Sequence, residues 1–382
     1  MKHRCYTCFK ILLGLLIASL VGLFFLIRYL ECNPIFMGGG PSYRPERCTA
    51  KEKAQQKENT MQKMEQLAAL EFSCVHEERP PIPEEAQLLY NYALYQDLHK
   101  MWTGKAGDWN ELLPYYRIAA ANGDYKANVR LQYLLETNRA LTSTSYDEVH
   151  NLNKLLAKSL PATAYYKLYG HLDIGFGITT REKDGKYAYL RKAADLGSRE
   201  AQYVVADMLG DIDDPETLPY RQKIIEELRR CASEQGSAEA SEFLGIRYQD
   251  KEQYSQALQA YHQGVKNGSY MSAFILSRSF DGKRKDDGTD DNFLNLPEDL
   301  ERSTRYKMID SYLFKYDYLQ PKVPDLDEIV PLPPVKLPPW DGKIAFQRWF
   351  EGPSPQKPSD ELMQKLAEKP GLDWQTGLPL KK

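Results

Sequence analysis

The stretch Ala193-Ala194-Asp195-Leu196-Gly197-Ser198-Arg199-Glu200-Ala201 recurs in altered form along the middle of the chain. Two further copies are Ala119–Ala127 and Ala232–Ala240, and a looser copy centres on Gly268. Each copy places small residues before a glycine and an alanine four positions after it, except that Ser272 replaces that alanine after Gly268. The glycine supplies the left-handed residue that ends a helix, and the alanine allows two helix axes to approach closely. The pattern therefore predicts that one helix ends and another begins at each copy.

The spacing of the glycines predicts the architecture. Gly123, Gly197, Gly236 and Gly268 are 74, 39 and 32 residues apart. A period in the thirties is typical of stacked helical hairpins, an α-solenoid that usually binds a partner. The 74-residue interval spans two periods, so we expect a degenerate copy inside it, with a helix at 146–160 that Pro161 ends and a second helix from Ala162. The predicted structural positions are Ala119, Gly123, Ala127, Ala193, Gly197, Ala201, Ala232, Gly236, Ala240 and Gly268.

The run Lys186–Ala201, which follows Gly175-Phe176-Gly177, resembles a Sel1-like repeat, a relative of the tetratricopeptide repeat with two antiparallel helices per unit. The recognisable copies cover about residues 84–280. Sel1-like proteins are adaptors and scaffolds, so the resemblance implies a protein partner. It also implies an all-α fold, an α-solenoid of Sel1-like helical hairpins.

The N-terminus has the pattern of a membrane anchor. Lys2, Arg4 and Lys10 precede an uncharged apolar run, and the stretch 9–30 is long enough for a helix to cross the hydrocarbon core. Bulky residues stand where a signal peptidase needs small ones, so we expect an uncleaved transmembrane helix. Because the basic residues come first, the N-terminus should remain cytoplasmic and the bulk of the chain should be periplasmic, on the far side of the inner membrane.

The cysteines follow from this topology. Cys32, Cys48, Cys74 and Cys231 would lie in an oxidising compartment, where disulfides persist. Four cysteines allow three complete pairings, and buried free thiols remain an alternative. We predict Cys74–Cys231, because both lie in the folded part of the chain.

The segment that follows the repeats is rich in proline. Glu84–Lys100 should form the first helix of the solenoid, and a capping helix from Pro297 to about Leu319 should cover its last apolar face. We predict that the proline-rich block Pro321–Gly342 is extended and lies against the protein. The predicted divisions are 1–30 (cytoplasmic tip and anchor), 31–83 (stalk and juxtamembrane helix), 84–280 (repeats), 281–320 (acidic loop and capping helix) and 321–382 (extended proline-rich C-terminal segment).

This block, with Glu301–Tyr306 before it, resembles an uncharacterised bacterial domain at the C-terminus of Sel1-like proteins, and Phe72–Glu77 resembles its beginning. The resemblance spans about residues 70–345. Members of that family often resemble immunity proteins encoded beside type VI secretion lipase effectors. The resemblance therefore implies a lipase effector as the partner.

The sequence contains no recognised catalytic motif. It lacks a Gly-x-Ser-x-Gly elbow, a His-Glu-x-x-His pair and a phosphate-binding glycine loop, and its six histidines are scattered. The net charge of −3 is spread over both signs and predicts no nucleic-acid partner. We predict no enzyme activity, cofactor or metal. Sequestration of a lipase effector is the leading hypothesis; a scaffold for a cell-envelope complex and an envelope hydrolase are the alternatives.

Overall fold

The computed structural model describes residues 72–181, 184–282 and 292–380, together with Ala54, Gln55 and Glu58. Phe72–Asp213 and Arg221–Lys382 form one compact unit, and the features below belong to it; Asp214–Tyr220 belongs to a second unit. The regular secondary structure of the described residues is helical, with no β-strand among them. Their α-helices, in chain order, are α1 Glu84–Lys100, α2 Leu113–Ala121, α3 Tyr125–Glu136, α4 Ser145–Leu156, α5 Pro161–Ile174, α6 Lys186–Asp195, α7 Arg199–Gly210, α8 Leu218–Glu234, α9 Ala238–Asp250, α10 Tyr254–Asn267, α11 Tyr270–Ser279, α12 Leu300–Lys315, α13 Leu326–Ile329, α14 Ala345–Phe350 and α15 Asp360–Glu368.

From α1 to α7 and from α9 to α12, helices that follow one another along the chain pack together as hairpins, the arrangement expected of an α-solenoid. The pairs α2/α3, α6/α7, α8/α9 and α10/α11 each flank one of the repeat glycines. The degenerate copy expected in the long interval is the hairpin α4/α5. Its first helix ends at Leu156 instead of Leu160. Pro161 does not break that helix but begins the second one. Proline is tolerated there because the backbone N–H that it lacks would have no partner at the first position of a helix.

The C-terminal part differs from the expectation in two respects. The capping helix α12 begins at Leu300, three residues after Pro297, because the Asp299 side chain accepts from the backbone N–H of Arg302 and caps it there. The segment 321–380 is not extended throughout, since it contains α13, α14 and α15. Leu326–Ile329 forms a helical turn because the neighbouring prolines, Pro324 and Pro331, flank it without interrupting it.

Two hydrophobic cores occupy the two ends of the repeat array. One lies among α1–α4 and includes Met363, Leu366 and Ala367 of α15. The other lies among α10–α12 and includes buried apolar side chains of the proline-rich block, Val323, Leu326, Ile329 and Val330. The C-terminal segment therefore packs first against the last repeat and then against the first helices.

Aromatic contacts join the same two ends directly. The rings of Trp102, just after α1, and Tyr318, just after α12, lie 5.3 Å apart. The ring of His99 stacks on Phe350 of α14 at 4.2 Å, and the Tyr95 hydroxyl donates to the carbonyl of Gly352. The first and last helices of the array are thus in contact through the C-terminal segment.

No helix in the described part of the chain combines the length and the apolar character that a membrane span requires. The predicted anchor at 9–30 lies outside the described residues, as do Cys32, Cys48, most of the predicted juxtamembrane helix and residues 283–291.

Candidate binding surface

The repeat turns share one backbone geometry. Gly123, Gly197, Gly236 and Gly268 have φ of +93°, +104°, +98° and +101°. At all four turns the N–H of the residue after the glycine bonds back to the carbonyl five positions earlier, that of Ala119, Ala193, Ala232 or Gly264, as in a Schellman motif. The residue after each glycine, Asp124, Ser198, Ser237 or Ser269, then accepts from a backbone N–H three positions on and caps the next helix. The alanines at the predicted positions are fully buried: Ala119, Ala127, Ala193, Ala201, Ala232 and Ala240.

The fourth copy keeps the close approach by exchanging two residues. Ser272 stands where the other copies have Ala127, Ala201 and Ala240, and Gly264 stands where they have an alanine before the turn. A Cβ at Gly264 would lie 2.9 Å from the Cβ of Ser272 and closer still to its hydroxyl. The larger serine is therefore accommodated because the facing position has no side chain.

Two extended segments cross the edge formed by these turns. A Cβ at Gly197 would lie 2.5 Å from the backbone N of Glu77, and one at Gly268 would lie 2.5 Å from the carbonyl of Pro321. Lys322 donates to the carbonyl of Gly236 at 3.0 Å. The repeat glycines thus permit a left-handed turn and leave room for the segments that precede and follow the repeats.

The N-terminal segment also caps the degenerate hairpin. Helix α5 begins after Leu160, which has no side-chain acceptor, and the carboxylate of Glu77 accepts from the backbone N–H of Ala162 at 2.6 Å and of Thr163 at 3.2 Å. A carboxylate at a helix N-terminus satisfies unpaired donors and is favoured by the helix dipole. A disulfide between Cys74 and Cys231, with Cα atoms 5.5 Å apart, holds the same segment to α8.

Two cavities that share Arg199, Glu200 and Gln320 lie beside the turns. The larger, about 540 Å³, is bounded by α1, α3, the start of α5, the start of α7 and the segment at Tyr318–Gln320. The smaller, about 400 Å³, is bounded by the starts of α7 and α9 and by Asp317–Lys322. The first two residues of α3, α7 and α9 contribute to them, namely Tyr125 and Lys126, Arg199 and Glu200, and Ala238 and Glu239.

Tyrosines and cations dominate the lining of the larger cavity. Its charged side chains are Arg79, Lys126, Arg130, Arg199 and Glu200, and its tyrosines are Tyr90, Tyr125, Tyr133 and Tyr318. Burial, the largest cause, raises the pKa of Tyr90, and burial raises that of Tyr166 in the smaller cavity to about 12, so both hydroxyls remain protonated donors at neutral pH. Desolvation by the cavity wall, and then the cations Arg199 and Arg79, lower the pKa of Lys322.

The histidines that the sequence left without a role serve as structural contacts. His262 bridges the Tyr306 hydroxyl at 2.9 Å and the Asp327 carboxylate at 2.7 Å, and so ties α10 to α12 and α13. His171 lies 2.9 Å from the carboxylate of Glu136, and exposed His76 lies 3.3 Å from that of Glu234. Among the described residues, Cys74, His76 and Cys231 could surround a metal ion, but their sulfur atoms are joined in the disulfide.

Apart from Gly236 and Gly268, which line the smaller cavity, the residues that line the two cavities were not predicted from the sequence. Their signal was the pair of positions that follows each turn glycine and its capping residue; these positions hold Tyr125 and Lys126 in one copy and Arg199 and Glu200 in another. The sequence also gave no indication that Arg79, from the segment before α1, would join them.

The C-terminal part of the chain matches a known family model. A family model described as "Domain of unknown function (DUF6396)" matches residues 272–380. The match contains the proline-rich block and Glu301–Tyr306, but it begins in the fourth repeat and reaches beyond residue 345, whereas we expected a resemblance over 70–345. No curated protein matches the chain.

The solved structures that are similar to the chain include two immunity proteins and a Sel1 repeat protein. Immunity protein Pa5087 from Pseudomonas aeruginosa aligns with a TM-score of 0.47 and 24% identity, over 69% of this chain and 95% of that one. Immunity protein PA5088 from the same organism aligns with a TM-score of 0.49 and 21% identity, over 69% and 94%. A Sel1 repeat protein from Oxalobacter formigenes aligns with a TM-score of 0.31 and 16% identity, over 78% and 81%.

Proposed function

We propose that this protein is a non-enzymatic immunity protein that sequesters a type VI secretion lipase effector in the periplasm. The observation that carries the proposal is the pair of adjoining cavities beside the repeat turns. They present tyrosine hydroxyls and cations to solvent on helices held in place by two crossing segments. Tyrosine and arginine are, with tryptophan, the side chains most enriched at the energetic centres of protein interfaces.

The roles of the histidines support binding over turnover. His262 lies between Tyr306 and Asp327, an arrangement with the composition of a proton relay, but Tyr306 is fully buried and His262 is 4% exposed. A substrate could not reach either group, so this set of residues fastens the proline-rich block to the last repeat. The sequence resemblance of that block to domains of immunity proteins indicates the class of partner.

We further propose that the apolar stretch 9–30 anchors the protein in the inner membrane with its N-terminus in the cytoplasm. The tether would confine the protein to the membrane where a phospholipase acts and would raise its effective concentration there. Alkaline phosphatase fused after Lys382 should then be active, and the protein should resist extraction by carbonate. An inactive fusion would place the bulk of the chain in the cytoplasm instead.

The function is tested by co-expression and titration. A lipase effector encoded beside this gene and directed to the periplasm should kill cells, and the full chain should rescue them. In vitro, lipase activity should fall linearly with added protein and reach zero near one equivalent. Protection far below one equivalent would indicate an enzyme, and a lipase that does not bind at micromolar concentration would favour a scaffold for a cell-envelope complex.

A further inference from the structure

The larger cavity has a marked imbalance of charge. Four cations, Arg79, Lys126, Arg130 and Arg199, line it together with one carboxylate, Glu200. The chain as a whole carries a formal net charge of −3, so the imbalance is local and does not reflect a basic protein. A cleft lined by one sign of charge focuses its field into the opening and attracts groups of the opposite sign.

Two of the four cations already have carboxylate partners. The guanidinium of Arg130 donates two hydrogen bonds, at 2.7 and 2.8 Å, to the buried carboxylate of Asp97. Arg199 pairs with Glu200 at 2.6 Å and donates to the carbonyl of Gln235 at 3.0 Å. These contacts fix the two arginines in the cavity wall.

The other two cations, Arg79 and Lys126, are exposed. The charge of Arg79 acts on Glu200 and that of Lys126 acts on Asp124, but within the described part of the chain no hydrogen bond or ion pair joins either side-chain cation to a carboxylate. They come from different elements: Arg79 precedes α1, and Lys126 lies in the first turn of α3. The positive charge of the cavity also acts on the neighbouring Lys322. Burial is the largest cause that lowers the pKa of Lys322, and the charges of Arg199 and Arg79 lower it further.

We infer that the larger cavity receives an acidic segment of the partner protein, whose carboxylates pair with Arg79 and Lys126; this inference rests on the proposed function. Charge complementarity carries the assignment. Arginine and lysine donate to carboxylates, and the tyrosine hydroxyls of the lining offer further donors. A volume of about 540 Å³ falls in the usual range of roughly 300–1,000 Å³ for ligand pockets, enough for a few side chains of an inserted loop.

A peptide assay tests the inference without the effector. Fluorescein-labelled octaglutamate should bind the full chain in detergent, and octalysine should not. Binding should weaken as salt rises, because the cations are exposed. The double variant R79E/K126E should lose at least about tenfold in affinity for octaglutamate. The matched control K223E/K369E reverses two exposed lysines that do not line the cavity and should bind like the wild type.

The peptide-binding results decide whether the larger cavity receives an acidic segment. Equal affinity for the two peptides, or equal affinity of the wild type and R79E/K126E for octaglutamate, overturns the assignment of the cavity. R79Q/K126Q removes the charges without reversing them, and a loss of affinity in this variant with an unchanged melting temperature excludes misfolding as the cause.

The effector arm tests the proposed function by itself. If the wild type does not bind the lipase, the proposed function fails whatever the peptides do. If the wild type and R79E/K126E bind the lipase equally well, the function stands and the partner uses another surface. Loss of lipase binding in R79E/K126E but not in K223E/K369E supports both.

Discussion

Gly197 lies directly against the backbone of Glu77. A Cβ at Gly197 would stand 2.5 Å from the nitrogen of Glu77 and 2.8 Å from the carbonyl carbon of His76. The turn between α6 and α7 is therefore a docking place for the segment that precedes the repeats. The carboxylate of the same Glu77 caps α5, so this contact also fixes the start of the degenerate hairpin.

Substitution of Gly197 by alanine should cost more stability than substitution of Gly123. The two glycines share a left-handed backbone, with φ of +104° and +93°, so each alanine carries a strain of about 1–2 kcal/mol. Only Gly197 has backbone within 3 Å of the added Cβ; at Gly123 the nearest atom is Cδ of Pro83 at 3.9 Å. We expect an additional loss of about 1–3 kcal/mol for G197A, measured by denaturant unfolding. Equal losses would show that the segment moves aside freely.

Gly264 and Ser272 should behave as a coupled pair. G264A should destabilise the protein by about 1–3 kcal/mol, because the new Cβ meets the serine side chain. S272A should be nearly neutral, since the buried hydroxyl has no hydrogen-bond partner. The double variant recreates the alanine pair of the other copies and should recover most of the loss. Additive effects in this double-mutant cycle would contradict the exchange.

Removal of the disulfide should loosen the N-terminal segment. C74S/C231S should lower the free energy of unfolding by about 2–5 kcal/mol, because the bond closes a loop of 157 residues. A thiol reductant should destabilise the wild type similarly and leave the variant unchanged. Alkylation of non-reduced protein followed by mass spectrometry should find both cysteines unlabelled, and labelled Cys74 and Cys231 would refute the pairing.

Arg305 should hold the proline-rich block in a way that lysine cannot. Its guanidinium donates to the carbonyls of Ile329 and Pro338, both at 2.7 Å, and a single ammonium group cannot reproduce this planar fork. Trypsin should therefore cleave after Lys336 faster in R305K and R305A than in the wild type.

The control for this prediction is R230A, which removes an exposed ion pair with Glu234 and should leave cleavage after Lys336 unchanged. Wild-type cleavage in R305K would show that one hydrogen bond is sufficient.

Acid should weaken the contact between α10 and the C-terminal segment through His262. Burial is the largest cause that lowers the pKa of His262 in the folded state. The Asp327 carboxylate raises this pKa, and the Lys266 cation lowers it further. The unfolded chain then binds the proton more readily, so the contribution is present above about pH 6.5 and is lost as pH falls below it. The free energy of unfolding of the wild type should fall more steeply than that of H262Q between about pH 7 and 5.

The comparison of the two proteins removes the titrating groups that His262 does not contact. Burial also lowers the pKa of His150, but that group is present in both and cancels in the difference. Parallel pH profiles would mean that His262 titrates alike in the folded and unfolded chain.

The local signals in the sequence were sufficient to predict the repeat hairpins. A turn glycine, its capping residue and the buried alanines all lie within nine residues, and their conformations depend on contacts with each other. The bounds of α1, Glu84–Lys100, also agree with the sequence prediction. Where capping was overlooked, as at Asp299, the predicted boundary was wrong by three residues.

The sequence by itself determined a helical repeat protein with turns at Gly123, Gly197, Gly236 and Gly268. Only the tertiary structure decided that Glu77 caps a helix 85 residues away and that Gly264 makes room for Ser272. It also decided that Arg79 and Lys126 line the same cavity. The physical reason is the distance along the chain between the residues that interact. Turns and caps are fixed by neighbouring backbone groups, whereas these pairings depend on how successive hairpins stack and on which segments cross them.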